Sequence, residues 1–308
     1  MTSNIRMTQS ENPKEPLVSV VVVTYNSAKT VIETLDSIKV QTYHNLELII
    51  SDDCSKDNTL TIVRRWLKQN EQSFRSSKLV TSEVNNGVAA NINRGIKASK
   101  GEWVKSIAGD DLLTHDAVQE YISFVLSHPD CRICMAMLDV FGASKEIHLR
   151  RYKLLDDMYS ELRTNDRIKQ YNIALRKHIM PGPGIFYQKS LWEEVGGFDE
   201  KYSMSEEWPF ELKVLSVTPI MLLEKKIVRW RQRMDSLSNN KDSLTCIQNR
   251  QIYKEIRRRK LLENRRYLDV LDCDLQYKFN TTGKQYYCWL RYLLPHLFFR
   301  KVRKIIGF

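Results

Sequence analysis

The strongest constraint on the fold is a repeated alternation of strand-like and helical segments in the first third of the chain. Residues 17–26 form a run rich in β-branched side chains that ends in turn-forming residues, which is typical of a strand buried inside a parallel sheet. Val31, Leu35 and Ile38 then recur at helical spacing. The same pattern continues, with strands predicted over residues 46–50, 78–84 and 103–108 and helices over residues 60–67 and 88–99. We therefore expect an α/β fold with a mostly parallel open sheet flanked by helices.

Polar residues follow each predicted strand, at the carboxyl ends where open parallel sheets bind their ligands. They are Thr24, Tyr25 and Asn26, then Asp52 and Asp53, then Asn85, Asn86 and Gly87, and finally Asp110 and Asp111. The first strand is not followed by a Gly-x-Gly-x-x-Gly motif, and the chain has no P-loop. These two observations argue against a dinucleotide-binding or ATP-hydrolysing version of the architecture.

The carboxyl ends of these strands together form one rim of the predicted sheet, and Asp110 and Asp111 are the most informative pair along it. Adjacent carboxylates at the end of a strand can hold Mg²⁺ or Mn²⁺, which takes one or two protein carboxylates and fills its other positions with water and substrate phosphates. The pair therefore indicates a phosphate-bearing substrate. The alternative is a solvated turn in which the two aspartates cap the next helix.

Five segments of the chain follow one another in a characteristic order. They are residues 20–26, 41–55, 86–93, 100–111 and 182–208. Together they resemble the catalytic domain of family 2 glycosyltransferases, which are inverting enzymes of the GT-A fold. The resemblance covers about residues 17–240 and implies a GT-A fold with a Rossmann-like nucleotide-binding half.

The resemblance also implies roles for individual residues in binding the donor nucleotide. The residues are Thr24, Tyr25, Asn26, Asp53, Asp110 and Arg233. Tyr25 would stack on the nucleotide base, and Asp53 would accept a hydrogen bond from the ring N–H of uracil or thymine. Without that role, Tyr25 is an aromatic side chain packed on the sheet.

The metal of the family is assigned by the same resemblance to Asp111, which would bind the Mg²⁺ or Mn²⁺ that bridges the donor diphosphate. Asp110 would face the ribose or the water shell of the metal. Relatives often carry histidine at the position of Arg233. Because an arginine cannot ligate a cation, Arg233 is expected to grip the diphosphate.

Three nearby residues have two interpretations each. Lys105 precedes the aspartate pair and would either add positive charge near the phosphates or be a solvated edge residue. Asn93 and Arg94 are expected to be helix-surface or packing residues.

Inversion at a sugar carbon requires a general base for the acceptor hydroxyl, and a carboxylate is the usual choice. In the sequence Ser-Glu-Glu-Trp, Glu207 falls where the family places its base, generally an aspartate preceded by a glutamate. Glu206 is the alternative base. Both glutamates would otherwise be favourable negative charges at the start of a helix.

Charge divides the chain unevenly. Of its 48 Lys and Arg residues, 21 lie in residues 225–308 against 7 Asp and Glu there, so the whole basic excess belongs to this segment. Aromatic and basic residues interleave over residues 286–308, which favours peripheral contact with an anionic membrane over a membrane span. The alternative is a helix packed on the catalytic domain with a solvated basic face.

These features predict three parts of the chain. Residues 1–15 form a disordered polar tail, residues 16–240 the GT-A catalytic domain, and residues 241–308 a basic helical C-terminal extension. The scattered cysteines, of which Cys131 and Cys134 lie in an apolar strand-like run, are typical of a reduced cytoplasmic protein. We expect it on the cytoplasmic face of the inner membrane.

The predicted activity is the transfer of a sugar, with inversion, from a nucleotide sugar to a hydroxyl of a glycan or a lipid-linked oligosaccharide. UDP is the default nucleotide because Asp53 suits uracil, and the family suggests bacterial surface polysaccharide or O-antigen assembly. The alternatives are a non-catalytic relative that binds nucleotide sugar or glycan, and a nucleotidyltransferase. Specific nucleic-acid binding is disfavoured because the chain contains no recognised nucleic-acid module.

Overall fold

The computed structural model describes residues 15–142, 144–232 and 244–282, together with residues 284, 287 and 290. The strands are β1 (Val18–Thr24), β2 (Leu46–Asp52), β3 (Ser76–Thr81), β4 (Trp103–Ala108), β5 (Leu112–Leu113), β6 (Ile133–Phe141), β7 (Ile185–Gln188) and β8 (Met221–Arg231). The helices are α1 (Val31–Lys39), α2 (Thr59–Asn70), α3 (Val88–Ala98), α4 (Ala117–Ser127), α5 (Lys145–Leu162), α6 (Arg167–Ala174), α7 (Lys189–Glu194), α8 (Glu207–Val217), α9 (Leu244–Ile252), α10 (Arg258–Glu263) and α11 (Tyr267–Thr282). The strands form one sheet in the order β3-β2-β1-β4-β7-β6-β8-β5.

β1 lies at the centre of the parallel half of the sheet, where it pairs with β2 and β4 while β2 pairs with β3. Val20, Val21 and Val22 are completely buried, as expected for a strand that is covered on both faces. Every strand and helix predicted between residues 17 and 108 is present, with boundaries that differ by about three residues at most. This half places the ends of β1, β2 and β4 side by side.

The other half of the sheet is mixed. β7 is antiparallel to both β4 and β6, β6 is parallel to β8, and β5 is antiparallel to β8. The ring of Phe186 joins the two halves, because it stacks on Trp103 at 5.1 Å and on Tyr121 at 4.7 Å between ring centroids. The strand expected around Cys131 and Cys134 is β6, and both cysteines are buried with free thiols.

The helices of the C-terminal extension pack on the rest of the protein. Between α9 and α10 the chain makes a π-helical turn, Tyr253–Arg257, and from this turn Glu255 accepts a hydrogen bond of 2.8 Å from the hydroxyl of Tyr202. The guanidinium of Arg257 lies 3.9 Å from the ring centroid of Trp208. In the described ranges no helix combines the length and the apolar character needed to cross a membrane. Residues 1–14 and most of residues 283–308, with the predictions made for them, lie outside the described residues.

Candidate active site

The end of β1 forms the first part of the rim. Thr24 is buried, and its hydroxyl donates to the Asp52 carboxylate at 2.8 Å, so its side chain is engaged inside the protein. Tyr25 follows with 48% of its surface exposed, which leaves its ring accessible for stacking. Asn26 adopts a left-handed conformation with φ 52°, which asparagine tolerates better than most residues, and its side-chain oxygen accepts from the backbone N–H of Lys56 at 2.8 Å.

Asp53, at the end of β2, is buried and held by two donors. Its Oδ1 pairs with the Arg94 guanidinium at 2.8 Å, and its Oδ2 accepts from the backbone N–H of Gly87 at 2.7 Å. Arg94 is therefore a constituent of this site, and the helix-surface interpretation is wrong for it. An ionised carboxylate has about four lone-pair positions, so Asp53 retains acceptor capacity for a base N–H.

Gly87 is required at its position for two reasons. Its φ is +89°, and a Cβ on it would lie 2.5 Å from the Cβ of Ser203. The Ser203 carbonyl accepts from the backbone N–H of Val88 at 2.7 Å. Asn93, in the same helix, is buried and donates to the carbonyl of Phe198 at 2.9 Å, which confirms a packing role. The loop after β3 is thereby tied to the loop before α8.

Asp110 and Asp111 follow β4, as predicted. Asp111 is 2% exposed, and its Oδ1 accepts from the backbone N–H of Arg231 at 2.8 Å. Burial raises the pKa of Asp111 well above its usual range, and the neighbouring Asp110 raises it further. The Arg231 side chain donates to the Asp110 carbonyl at 2.7 Å and pairs with Glu33 at 2.8 Å.

Arg231 was not predicted as a site residue, although it lies two positions before Arg233, for which the resemblance implied a role. The sequence gives no sign that its backbone, rather than its charge, would contact Asp111. Arg233 itself lies outside the described residues.

The aspartate pair suits a divalent cation that completes its shell with substrate. No group of three or more His, Cys, Asp or Glu side chains arranged for a metal is found in the described part of the chain. Asp110 and Asp111 are two adjacent carboxylates, and Mg²⁺ takes one or two protein carboxylates when phosphates and water supply the rest. A cation would also relieve the unfavourable charge that burial and proximity place on Asp111.

Lys105 connects this rim to a second cluster. It is fully buried in β4, and its Nζ donates to the carbonyls of Ser106 at 2.6 Å and Pro183 at 2.8 Å. Burial lowers the pKa of Lys105 to about 7, against the opposing effect of the Asp111 carboxylate. The solvated-edge interpretation of Lys105 is therefore wrong. Its amine holds the turn at Gly182–Gly184 against β4.

Glu207 is the centre of the second cluster. It begins α8, with 35% of its side chain exposed. Its Oε1 accepts from the backbone N–H of Gly182 at 2.9 Å, and its Oε2 lies 3.1 Å from Nε2 of His178. A Cβ on Gly182 would lie 2.0 Å from Oε1 of Glu207. Only glycine permits this close approach of the turn to the carboxylate.

His178 and Glu211 continue the cluster into the protein. Nδ1 of His178 contacts Oε2 of Glu211, and the fully buried Glu211 carboxylate also accepts from the backbone N–H of Ile179 at 3.2 Å. Burial lowers the pKa of His178, but Glu211 and then Glu207 outweigh it and raise the value to about 10. His178 was not predicted, because a single histidine four residues before a Gly-Pro-Gly turn carries no distinguishing pattern.

Glu206 differs from its neighbour. It is 7% exposed, and burial, followed by the charge of Glu207, raises its pKa to about 8. Glu206 is therefore mostly protonated at neutral pH, whereas a general base must be ionised before it accepts a proton.

Comparison of the sequence with known proteins identifies a matching family. Residues 19–196 match the family model described as glycosyl transferase family 2. An uncharacterized glycosyltransferase of Rickettsia typhi is 25% identical over 221 residues, which is 72% of this chain and 65% of that protein. A Bacillus subtilis protein named "Putative glycosyltransferase EpsE" is 31% identical over 130 residues, or 41% of this chain and 46% of EpsE. The chain spans at most 65% of the length of the first three curated relatives that it matches.

Solved structures agree in fold. Residues 1–349 of S. aureus TarS in complex with UDP-GlcNAc superimpose with a TM-score of 0.57 at 17% identity, covering 85% of this chain and 81% of that one. The same TarS segment in a structure without a stated ligand gives a TM-score of 0.55 at 19% identity, covering 84% of this chain and 80% of the other. This likeness confirms the expected α/β fold of the GT-A type with a helical C-terminal region.

Proposed function

Because this chain belongs to glycosyl transferase family 2, we propose that it transfers a sugar, with inversion, from a UDP-linked donor to a hydroxyl acceptor. The observation that carries the proposal is the fixed carboxylate of Glu207, held by the Gly182 N–H and by His178 and still partly exposed. The UDP complexes of S. aureus TarS support a uridine donor.

Donor binding is assigned to the rim formed by the first strands. The exposed Tyr25 ring stacks on the uracil, and Asp53, oriented by Arg94 and Gly87, accepts the ring N–H. Thr24 and Asn26 shape the turn around Tyr25. Arg233, which lies outside the described residues, is proposed from the family resemblance to bind the diphosphate.

Asp111, with Asp110 beside it, would hold a divalent cation at the diphosphate end of the donor. A bound Mg²⁺ or Mn²⁺ would supply positive charge beside the diphosphate, where negative charge develops as it departs. Asp111 is kept in place for this by the backbone N–H of Arg231.

The transfer itself is a direct displacement with Glu207 as base. The acceptor oxygen forms a bond to the anomeric carbon, and the bond from that carbon to the diphosphate oxygen breaks, its electron pair leaving with UDP. The hydroxyl proton moves to the Glu207 carboxylate. Since Glu207 is partly exposed, the proton can then pass to solvent.

The acceptor that we propose is a glycan or a lipid-linked oligosaccharide of a bacterial surface polysaccharide or O-antigen. The basic excess of residues 225–308 supports peripheral contact with the anionic cytoplasmic face of the inner membrane, where such acceptors are found. The bacterial origin of the relatives is in keeping with this setting.

One alternative is a non-catalytic relative that binds nucleotide sugar or glycan. It is favoured by one observation, namely that a glutamate, Glu207, stands where the family generally places an aspartate as base. Such a protein would bind UDP, but it would not cleave any UDP-sugar to release UDP.

The test is UDP release from a panel of UDP-sugars, with and without Mn²⁺. Asp111→Ala should lose metal-dependent donor binding. Glu207→Gln should keep UDP affinity and lose about 10²- to 10⁴-fold in turnover, the range for a general base. Glu206→Gln should retain turnover near pH 7, because it replaces a mostly protonated acid with an amide of similar shape.

Matched controls are Asp130→Ala and Glu193→Gln, two exposed carboxylates outside the site. Wild-type protein that binds UDP without releasing it from any donor would support the non-catalytic alternative. Absence of UDP binding by calorimetry would exclude the uridine donor. Loss of turnover in Glu206→Gln but not in Glu207→Gln would show that Glu206, and not Glu207, is the base.

A further inference from the structure

His178 lies between two carboxylates of α8. Its Nε2 is 3.1 Å from Oε2 of Glu207, and its Nδ1 contacts Oε2 of Glu211. Ionised carboxylate oxygens accept hydrogen bonds but do not donate them. A neutral imidazole would turn one unprotonated nitrogen toward such an oxygen, whereas an imidazolium donates to both. The geometry therefore favours the charged ring.

The groups around the ring agree with this assignment. Glu206, Glu207 and Glu211 face it from the start of α8, and Arg257 approaches Glu211 from the π-helical turn. Burial lowers the pKa of His178, but the two carboxylates that it contacts raise it to about 10. Glu206, with its pKa raised to about 8, contributes little negative charge at pH 7.

We propose that His178 is a positioning residue for Glu207: as an imidazolium anchored by Glu211, it gives the Glu207 carboxylate a positively charged neighbour and holds it in one orientation. The second anchor of that carboxylate is the Gly182 N–H, so each oxygen has one protein donor. This inference rests on the proposed function, in which Glu207 is the base.

His178 does not itself take the proton of the acceptor. An imidazolium has no free lone pair on its nitrogens, so the proton passes from the acceptor oxygen to Glu207 while that oxygen bonds to the anomeric carbon. The Glu211 carboxylate faces the imidazolium from a fully buried position. A histidine held by a single carboxylate would lose this charge more readily.

The kinetic test compares His178→Gln and Glu211→Gln with wild type, with His128→Gln as the matched control. His128 lies at the end of α4, where its ring contacts the carbonyl of Phe124. In His178→Gln we expect kcat to fall roughly 10- to 100-fold, the cost of a misplaced catalytic group, with the donor KM within about twofold of wild type. Glu211→Gln should behave similarly, and His128→Gln should match wild type.

The pH profile separates positioning from a general loss of structure. The acidic limb of the kcat profile should move to higher pH in His178→Gln and Glu211→Gln, because the base loses a neighbouring positive charge. A lower kcat with an unchanged limb in both variants would overturn the inference and leave His178 with a structural role.

A second readout needs no turnover. In ¹⁵N-histidine-labelled wild type at pH 8, the His178 ring should give the nitrogen shifts of an imidazolium. That signal should vanish in His178→Gln and become a neutral ring in Glu211→Gln. A neutral His178 ring in wild type would overturn the inference. Wild-type protein without sugar transfer would overturn the proposed function and this inference with it, whereas transfer with an unaltered pH profile would overturn the inference alone.

Discussion

At the scale of single residues, the environment distinguishes Glu207, which the sequence assigned as the base, from its neighbour Glu206, which the sequence kept as the alternative. Glu206 and Glu207 are adjacent glutamates at the start of one helix, yet Glu206 is buried and Glu207 has a hydrogen-bond partner on each oxygen. The carboxylate that is both oriented and partly exposed is the better candidate for a base, and the sequence alone left the two open.

The buried Glu206 also makes the stability of the protein depend on pH. Its pKa is raised from 4.5 to about 8, so between these values the folded state binds more protons than the unfolded state and stability falls as pH rises. Glu206→Gln removes this contribution. We expect the variant to gain stability relative to wild type progressively from about pH 4.5 to pH 8, measured by urea denaturation at a series of pH values.

Variant and wild type must be compared at each pH, because other groups titrate in the same range. The pKa of Lys105 is lowered to about 7, so this group makes stability rise as the pH increases above that value. The pKa of His178 is raised from 6.5 to about 10, so this group makes stability fall as the pH increases between those two values. A stability difference between Glu206→Gln and wild type that is the same at pH 5 and pH 8 would contradict the prediction.

At the scale of elements, the turn at Gly182–Gly184 determines where the base lies. Lys105 holds the turn to β4 through the Pro183 carbonyl, and the Gly182 N–H holds Glu207. A side chain at position 182 would collide with that carboxylate, since its Cβ would be 2.0 Å from Oε1.

Gly182→Ala should therefore displace the base without affecting the nucleotide rim. We expect kcat to fall at least about tenfold while the Kd for UDP stays within about twofold of wild type, the two being measured by donor turnover and calorimetry. Gly196→Ala is the control: it strains a backbone with φ +73°, but its Cβ would meet nothing within 4 Å, so kcat should be retained. Equal losses in both variants would point to general destabilisation.

The π-helical turn is the second element that supports the site. Its Arg257 stacks on Trp208, the neighbour of Glu207, and donates to the carbonyls of Leu175 at 2.7 Å and of Arg176. Arg257→Met leaves these buried carbonyls without a donor, so we expect a loss of about 1–3 kcal/mol in the free energy of unfolding.

Arg259→Met is the matched control in urea denaturation. The Arg259 side chain is 68% exposed and pairs only at 3.6 Å with Glu263 in the same helix, so its removal should change stability by about 0.5 kcal/mol or less. Similar losses for both variants would show that the stacked arginine has no special role.

At the scale of the whole molecule, the sequence predicted the parallel half of the sheet well and the mixed half poorly. β1, β2, β3 and β4 are each indicated by a local apolar run, and a helical pattern follows each of the first three. β7 and β8 pair with strands distant in the chain, and the two-residue β5 has too few residues to carry a pattern.

The candidate site shows the same limit. Asp53 and Asp111 lie at strand ends, so their places at the rim followed from the alternation of elements. His178, Arg94 and Arg231 acquire their positions through contacts between segments distant in sequence, which a pattern of neighbours along the chain does not encode.

Membrane contact is a prediction about the molecule as a whole. The full chain should co-sediment with vesicles containing phosphatidylglycerol, bind neutral phosphatidylcholine vesicles much less, and be released as salt rises. Replacing Arg300, Lys301, Arg303 and Lys304 by glutamine should weaken the binding at least about tenfold.

The control for that experiment removes the same charge elsewhere. Glutamine at Arg64, Arg65, Lys68 and Lys97, four exposed positions on α2 and α3, should leave vesicle binding nearly unchanged. Equal weakening by both sets would indicate that net charge alone, rather than the C-terminal segment, attracts the protein to the vesicle.

Leu261 and Val270, from the helices that follow the π-helical turn, are buried within the same hydrophobic core as the sheet. The stretch recognisable as a family member, residues 19–196, is therefore shorter than the stretch that must fold together. A truncation after residue 240 would leave the core surface beneath these two side chains uncovered, and would take Arg257 from Trp208 at the same time. For this protein, expressing the family-sized piece alone would yield a chain with an open hydrophobic face, prone to aggregate.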